Sequence, residues 1–228
     1  MNSIIETKNI KKIFFHEKKE IKILENVNFN IKRGELVALT GPSGSGKSSF
    51  LHMLALLEKP TSGKIILLGK EVRDIKSEMK DSIRQKNISI IFQNHNLLSD
   101  FTVMENVLMP LIIKGENLNK SVEKVNDILK YTKIFNRKKH FPNQLSGGEQ
   151  QRVAIARSLV AGTDLVLADE PTGNLDYKTS LEIFKLFKRL KKLNKAILFA
   201  THNRELANLA DYKLSISNCN IKRSNGKK

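Results

Sequence analysis

Gly41 to Ser48 carry the spacing G-x-x-x-x-G-K-S, which suits the binding of a polyphosphate. Glycines at 41, 44 and 46 let the backbone wrap closely round an anion, so that successive N–H groups point inward as a nest. A helix starting near Lys47 adds unpaired N–H groups and its positive dipole end. Lys47 supplies a full charge for the β- and γ-phosphates, and Ser48 offers a hydroxyl to Mg²⁺. Ser43, Ser45 and Ser49 complete the loop as candidate ligand-binding residues. A glycine-rich surface turn with a chance Lys-Ser after it would lack the flanking context found here. Leu36–Leu39 reads as a short buried strand, and Phe50, Leu51, Leu54 and Leu57 follow at helical spacing.

Three more short apolar runs end in distinctive polar residues. Ile88–Phe92 ends in Gln93, Leu165–Ala168 in Asp169-Glu170, and Ala196–Ala200 in Thr201-His202. Ligands of open parallel sheets bind at the carboxyl ends of strands. If the four runs lie side by side, Lys47, Ser48, Gln93, Asp169, Glu170 and His202 converge on one nucleotide. Ser48, Gln93 and Asp169 can each give Mg²⁺ a hard oxygen, directly or through water. Glu170 is placed to orient or deprotonate an attacking water. His202 can hold the γ-phosphate and Glu170 in register. Adjacent residues of one strand point to opposite faces, so Asp169 and Glu170 share a site only if the strand has ended. Pro171 favours that; a bare strand cap is the competing reading. His16, His52, His95 and His140 have no such company.

The elements that position these groups follow from hydrophobic patterning. In residues 3–35, Ile21, Ile23, Val27, Phe29 and Ile31 occupy alternating positions of a half-exposed strand. Turns are expected at Lys32–Glu35 and Pro60–Gly63, with a strand over Lys64–Leu68 and partial helix over 73–86. From Asn94 to Gly162 the chain reads as a helical insertion between two strands of one sheet. Helices are expected over 104–114, through Val122, Val125, Ile128 and Leu129 after an Asn119 or Ser121 cap, and over 148–161. Ser224–Lys228 are expected to fray.

The 228 residues, 40% of them hydrophobic, suffice for one α/β domain with an inserted subdomain. One cysteine, Cys219, excludes an intramolecular disulfide. The start MNSIIETKNI lacks the apolar core of a signal peptide, and no run approaches the ~20 apolar residues of a membrane span. The net charge of +17 suits an anionic partner, nucleic acid or a lipid surface. The lysines are scattered, however, and few aromatics lie among them to stack bases. A compositional bias accounts for the charge better than nucleic acid does.

Leu145-Ser146-Gly147-Gly148-Glu149-Gln150-Gln151 opens the third helix. Ser146 and Glu149 fit a capping box, and the Gly-Gly amides at a helix start form a second anion site. Taken together, the motifs resemble those of ABC-type ATPases over nearly the whole chain: GPSGSGKSS the Walker A loop, Gln93 the Q-loop, LSGGEQQR (145–152) the signature, LVLADE (165–170) Walker B, GNLD (173–176) the D-loop, and Thr201-His202 the H-switch. The resemblance implies a P-loop, RecA-like α/β core, about 1–93 and 161–223, with an N-terminal antiparallel β subdomain and a helical subdomain, about 94–160, inserted. It implies ATP and Mg²⁺ as cofactors and a head-to-tail dimer of two copies. Ser146, Gly147, Gly148 and Glu149 of each copy would complete the other's site, with Asp176 communicating across. Phe14, or alternatively Phe15, would stack on adenine.

FQNHNLLSDFTVMENVLMPLI (92–112) and LADEPTGNLD (167–176) are similar to the lipoprotein-release, macrolide-exporter and cell-division group, and DFTVMENVLMPL most resembles the lipoprotein-releasing branch. That branch implies a peripheral ATPase subunit on the cytoplasmic face of a bacterial inner membrane. Through its helical subdomain it would drive two membrane subunits that hand outer-membrane-directed lipoproteins to a periplasmic carrier. Cell-division-type and exporter-type roles through other partners remain alternatives, and a nucleic-acid ATPase is a weaker one. Two positions depart from the pattern: Phe replaces the usual stacking Tyr, and Asn203 replaces the Asp that often follows the H-switch histidine.

Overall fold

The computed structural model describes residues 3–17 and 19–225, without the side chains of His16, Ser224 and Asn225. In chain order the elements are β1 Ser3–His16, β2 Lys19–Lys32, β3 Leu36–Thr40, α1 Lys47–Leu54, β4 Ser62–Leu67, β5 Lys70–Glu71, α2 Ser77–Asn87, β6 Ile88–Ile91, α3 Val103–Ile113, α4 Leu118–Tyr131, α5 Gly147–Val160, β7 Leu165–Asp169, α6 Tyr177–Lys192, β8 Ala196–Ala200, α7 Arg204–Asn208, β9 Tyr212–Ser217 and β10 Asn220–Asn225. Two sheets form: one of order β2-β1-β4-β5, antiparallel, and one of order β10-β9-β3-β8-β7-β6. In the second, β9, β3, β8, β7 and β6 are mutually parallel.

The parallel strands are near-continuous apolar runs because both of their faces are covered. Along β3, Val37 and Leu39 enter one core while Leu36 and Ala38 enter another; along β8, Leu198 and Phe199 divide in the same way. The first core packs α1 and the antiparallel sheet against the parallel one, with Phe29 and Phe50 edge to face at 5.6 Å. The second is closed by α6, whose Phe184 and Phe187 rings meet Phe199. A third core belongs to α3, α4 and α5: Val103, Val107, Leu111, Val125, Leu129 and Val153. These three helices lie in the crossover between the neighbouring strands β6 and β7.

Several sequence expectations are corrected. The apolar pattern of α1 runs on to Leu57, but the helix stops at Leu54 because Leu56 turns left-handed at φ 58°. The cap of α4 is Asn117, which accepts from the Lys120 N–H; Ser121 is buried inside the helix and Asn119 is exposed. The strand begun at Ile88 ends at Ile91, before Phe92. Ser224 and Asn225 are not frayed but pair with Lys213 and Tyr212 in β10, while residues 226–228 lie outside the described residues. Among the described residues, no helix is long and apolar enough to cross a membrane.

Candidate active site

β3, β6, β7 and β8 are consecutive in the sheet, so their carboxyl ends lie on one edge. There a cavity of about 380 Å³ is lined by Ile23, Ser43, Gly44, Gly46, Lys47, Ser48, Ser49, Gln93, Asp169, Glu170 and His202. Gly41 and Ser45 support this wall from behind. The Gly41 carbonyl accepts from Lys47, and the Ser45 hydroxyl is buried close to the Gly41 Cα.

The loop is preorganised for an anion. The N–H groups of Gly44, Gly46, Lys47 and Ser48 have no acceptor among the described residues. Gly46 sits at φ 97°, and a Cβ there would lie 2.5 Å from Cγ2 of Ile23 on β2. Glycine is therefore required for both angle and space. The Lys47 ammonium is buried and donates to the carbonyls of Gly41 and Pro42 at 3.0 Å each. That leaves one of its three donors for a phosphate.

The carboxylates reach the cavity because the strand ends between them. Asp169 is the last residue of β7, and Glu170 turns left-handed at φ 44°. That conformation costs a non-glycine residue about 1–2 kcal/mol and breaks the strand's alternation, putting both side chains on one site. The Glu170 N–H donates to the Ala200 carbonyl at 3.2 Å, tying β7 to β8. Glu170 Oε2 faces His202 Nδ1 at 3.0 Å and accepts from the His202 N–H at 3.4 Å. Asp169 Oδ1 is buried with no hydrogen-bond partner. An orphaned carboxylate oxygen is costly, and a divalent cation held with Ser48 and Gln93 would satisfy it; this hard-oxygen set fits Mg²⁺.

Ser146, Gly147, Gly148 and Glu149 are absent from this cavity. Ser146 N-caps α5, and Glu149 Oε2 accepts from the Ser146 N–H at 2.9 Å. Arg137 Nε donates to Glu149 Oε1 at 2.9 Å. The Ser146 amide and the Arg137 guanidinium hold the Glu149 carboxyl below its usual range. Asp176 caps α6, accepting from the Thr179 N–H at 2.9 Å. Gly148 abuts Thr179, where a Cβ would come within 2.7 Å of Cγ2. The starts of α5 and α6 therefore meet on one surface outside the cavity, while Gly173, at the head of the 173–176 stretch, lies against Gln93 and Glu170 at the cavity's edge.

Phe14 does not line the cavity. It stands opposite Ile21 in the β1–β2 ladder, next to the register shift that leaves the wall residue Ile23 unpaired. Phe15 stands opposite Glu20, on the other face. The Lys12 ammonium lies 4.7 Å from the Phe14 ring centre. Sequence reasoning missed Ile23 as a wall; its alternation with Ile21 was legible, but not what covered that face. Away from the cavity, a groove of about 480 Å³ runs between α2–β6 and α3–α5, lined among others by Leu57, Phe92, Leu98, Met109, Ile113 and Arg157.

A model described as "ABC transporter" matches residues 24–173. The chain is 45% identical over 216 residues to the lipoprotein-releasing system ATP-binding protein LolD of Rickettsia bellii, covering 93% of this chain and 96% of that one. It is 42% identical over 211 residues to a LolD of Zymomonas mobilis, covering 92% and 91%. A solved dimeric bacterial ABC transporter cassette, MJ0796, superposes with TM-score 0.92 at 36% identity over 98% of this chain and 99% of that one. A post-hydrolysis dimer of that cassette, bound to ADP and Pi, superposes with TM-score 0.92 at 35% identity over the same shares.

Proposed function

The chain belongs to the ABC transporter family, and from that premise we propose that it hydrolyses ATP to power release of outer-membrane-directed lipoproteins to a periplasmic carrier. The likeness to LolD over 93% of the chain supports the cargo. The observation that carries the mechanism is the division of the site. The cavity gathers Lys47, Ser48, Gln93, Asp169, Glu170 and His202, while Ser146–Glu149 sit on another surface.

On this reading the chain is a single ATP-binding domain, with a core over about 1–93 and 161–223 and a helical subdomain over about 94–160. Two copies meet head to tail. Ser146, Gly147, Gly148 and Glu149 of one copy close the nucleotide loop of the other, and Asp176 lies at the seam. The loop N–H groups and Lys47 bind the phosphates, with Gly41, Ser43, Gly44, Ser45, Gly46, Ser48 and Ser49 shaping the cradle. Phe14 stacks on adenine, since it stands opposite Ile21, two residues before the wall residue Ile23. Ser48, Gln93 and Asp169 hold Mg²⁺, which when bound offsets phosphate charge. Glu170 takes the proton of the attacking water, and His202 keeps the Glu170 carboxylate turned toward it.

The apolar groove receives two integral membrane subunits, one on each copy. Its exposed Leu57, Leu98 and Ile113 would otherwise face water. The protein is thereby held peripherally on the cytoplasmic face of the inner membrane, where anionic lipid is a further contact for its positive charge.

Depletion tests the cargo: outer-membrane lipoproteins should accumulate in the inner membrane, and their normal delivery without this protein would refute the reading. Mixing a Lys47→Ala copy with a Ser146→Ala copy tests the shared site. One intact composite site, and part of the activity, should return; no recovery would refute action in trans.

A further inference from the structure

We propose that Arg157 is a positioning residue that clasps the loop behind Gln93 and joins the nucleotide cavity to the apolar groove. The inference rests on Gln93 serving hydrolysis. Arg157 lies near the end of α5, where its Nη1 donates to the Asn96 carbonyl at 2.7 Å and its Nη2 to the His95 carbonyl at 2.8 Å. These acceptors are consecutive, and both residues are left-handed, His95 at φ 55° and Asn96 at φ 47°. Histidine and asparagine enter this region more readily than other non-glycine residues, but two in succession are costly and need support from their surroundings. A planar guanidinium fork fixes two carbonyls at once, which a lysine cannot do.

The guanidinium is largely buried, and its pKa is lowered by burial with no carboxylate offsetting it. A buried charge paired only with backbone carbonyls stabilises a fold poorly. Its value lies in what it positions. Gln93, two residues before His95, lines the nucleotide cavity, whereas Phe92 and Leu98 line the groove. The far end of the loop is pinned separately. The buried Asn106 accepts from the Leu98 N–H at 2.8 Å and donates to the Leu98 carbonyl at 3.0 Å. The span from Gln93 to Leu98 is thus fixed by Arg157 and Asn106, and Arg157 itself lines the groove. Anything seated there presses on the same clasp that sets Gln93.

The test compares Arg157→Lys with wild type, alone and in a Gln93→Ala background, by steady-state ATPase assays on thermally intact protein. Arg157→Lys should lower kcat about tenfold with KM for ATP changed less than about twofold, and should cost less than about twofold once Gln93 is gone. Asn96→Val is the second perturbation. It leaves Arg157 untouched, sits on an exposed residue, and disfavours the left-handed turn. It should reproduce the kcat loss, and it decides alone if Arg157→Lys does not fold. Equal losses in both backgrounds, or no loss from either folded variant, would overturn the clasp while leaving Gln93's role standing. An unchanged kcat in Gln93→Ala by itself would refute that role, and the clasp with it.

Discussion

Replacing Glu170 by Gln removes the proposed base while keeping its shape. Glu170 is the less exposed member of its pair, 13% against 68% for His202, so its surroundings constrain it and its loss is felt in full. A positioned general base contributes about 10²–10⁴-fold, which corresponds to ~2.7–5.4 kcal/mol of barrier. The glutamine carbonyl can still accept from the His202 N–H, so folding and ATP affinity should be preserved. ATP-bound dimer should then accumulate. His202→Ala removes the 3.0 Å contact to Oε2. An exposed contact of this kind contributes about 0.2–1 kcal/mol, so the expected loss is up to about fivefold in kcat. Because His202 acts through Glu170, the double variant should lose little beyond Glu170→Gln. Phosphate release at saturating ATP, with dimer measured by light scattering, reads both effects. Wild-type turnover in Glu170→Gln would refute its assignment as base. A further loss in the double variant as large as that of His202→Ala alone would refute the coupling to His202.

Gly46→Ala should destabilise the fold by about 1–3 kcal/mol through its left-handed angle alone, with further loss from the clash with Ile23. Calorimetry should show Tm falling by roughly 2–4 °C per kcal/mol, together with loss of ATP binding. Phe14→Ala should raise the Kd for ATP about 5- to 150-fold, the equivalent of ~1–3 kcal/mol of stacking, and Phe15→Ala should leave it unchanged; equilibrium titration with a fluorescent ATP analogue distinguishes them. The Lys185 and Lys133 ammoniums hold the Glu182 carboxyl down at about 2, from an ordinary value of 4.5. A depressed carboxyl stabilises the fold above its unfolded value and loses that effect as pH falls through the folded one. Glu182→Gln should therefore flatten the decline in Tm between pH 4.5 and about 2. The change should be small and salt-sensitive, because both lysines are exposed.

Local chemistry was the legible part of the sequence. The spacing from Gly41 to Ser48 fixes a loop and a helix start within a few residues, and the four apolar runs show a sheet covered on both faces. Elements that depend on distant partners were harder to read. The β9–β10 hairpin carries KLSIS and NIKRSN, a weak pattern, and becomes a strand pair because Tyr212–Ser215 join β3. α6 is plainly amphipathic, yet only the placement of Phe184 and Phe187 against Phe199 makes it the cover of the second face. The left-handed turn at Glu170 leaves no compositional signal, and those at His95 and Asn96 leave only the weak one of residue types that tolerate it. They are also the turns that place Glu170 in the cavity and shape the loop behind Gln93.

On the proposed reading, the two halves of the site would report to different neighbours. Gln93, Asp169 and Glu170 hang from strand ends of the parallel sheet, with the loop after Gln93 running back to the groove. Ser146 and Gly148 belong to α5, and Asp176 and Thr179 to the start of α6, where Gly148 has room only because it lacks a Cβ. On that reading a change at the groove would reach Gln93 through a short loop, whereas a change between two copies would reach the capping residues of two helices at once. Gly148→Ala makes the distinction measurable. It pushes the start of α5 away from Thr179, by an overlap that leaves a Cβ at 2.7 Å, without touching the cavity of its own copy. ATP affinity of the separated copy should stay within about twofold, while ATP-driven dimer formation should fall at least about tenfold. An equal loss in both would mean that the signature surface and the cavity are one site rather than two halves.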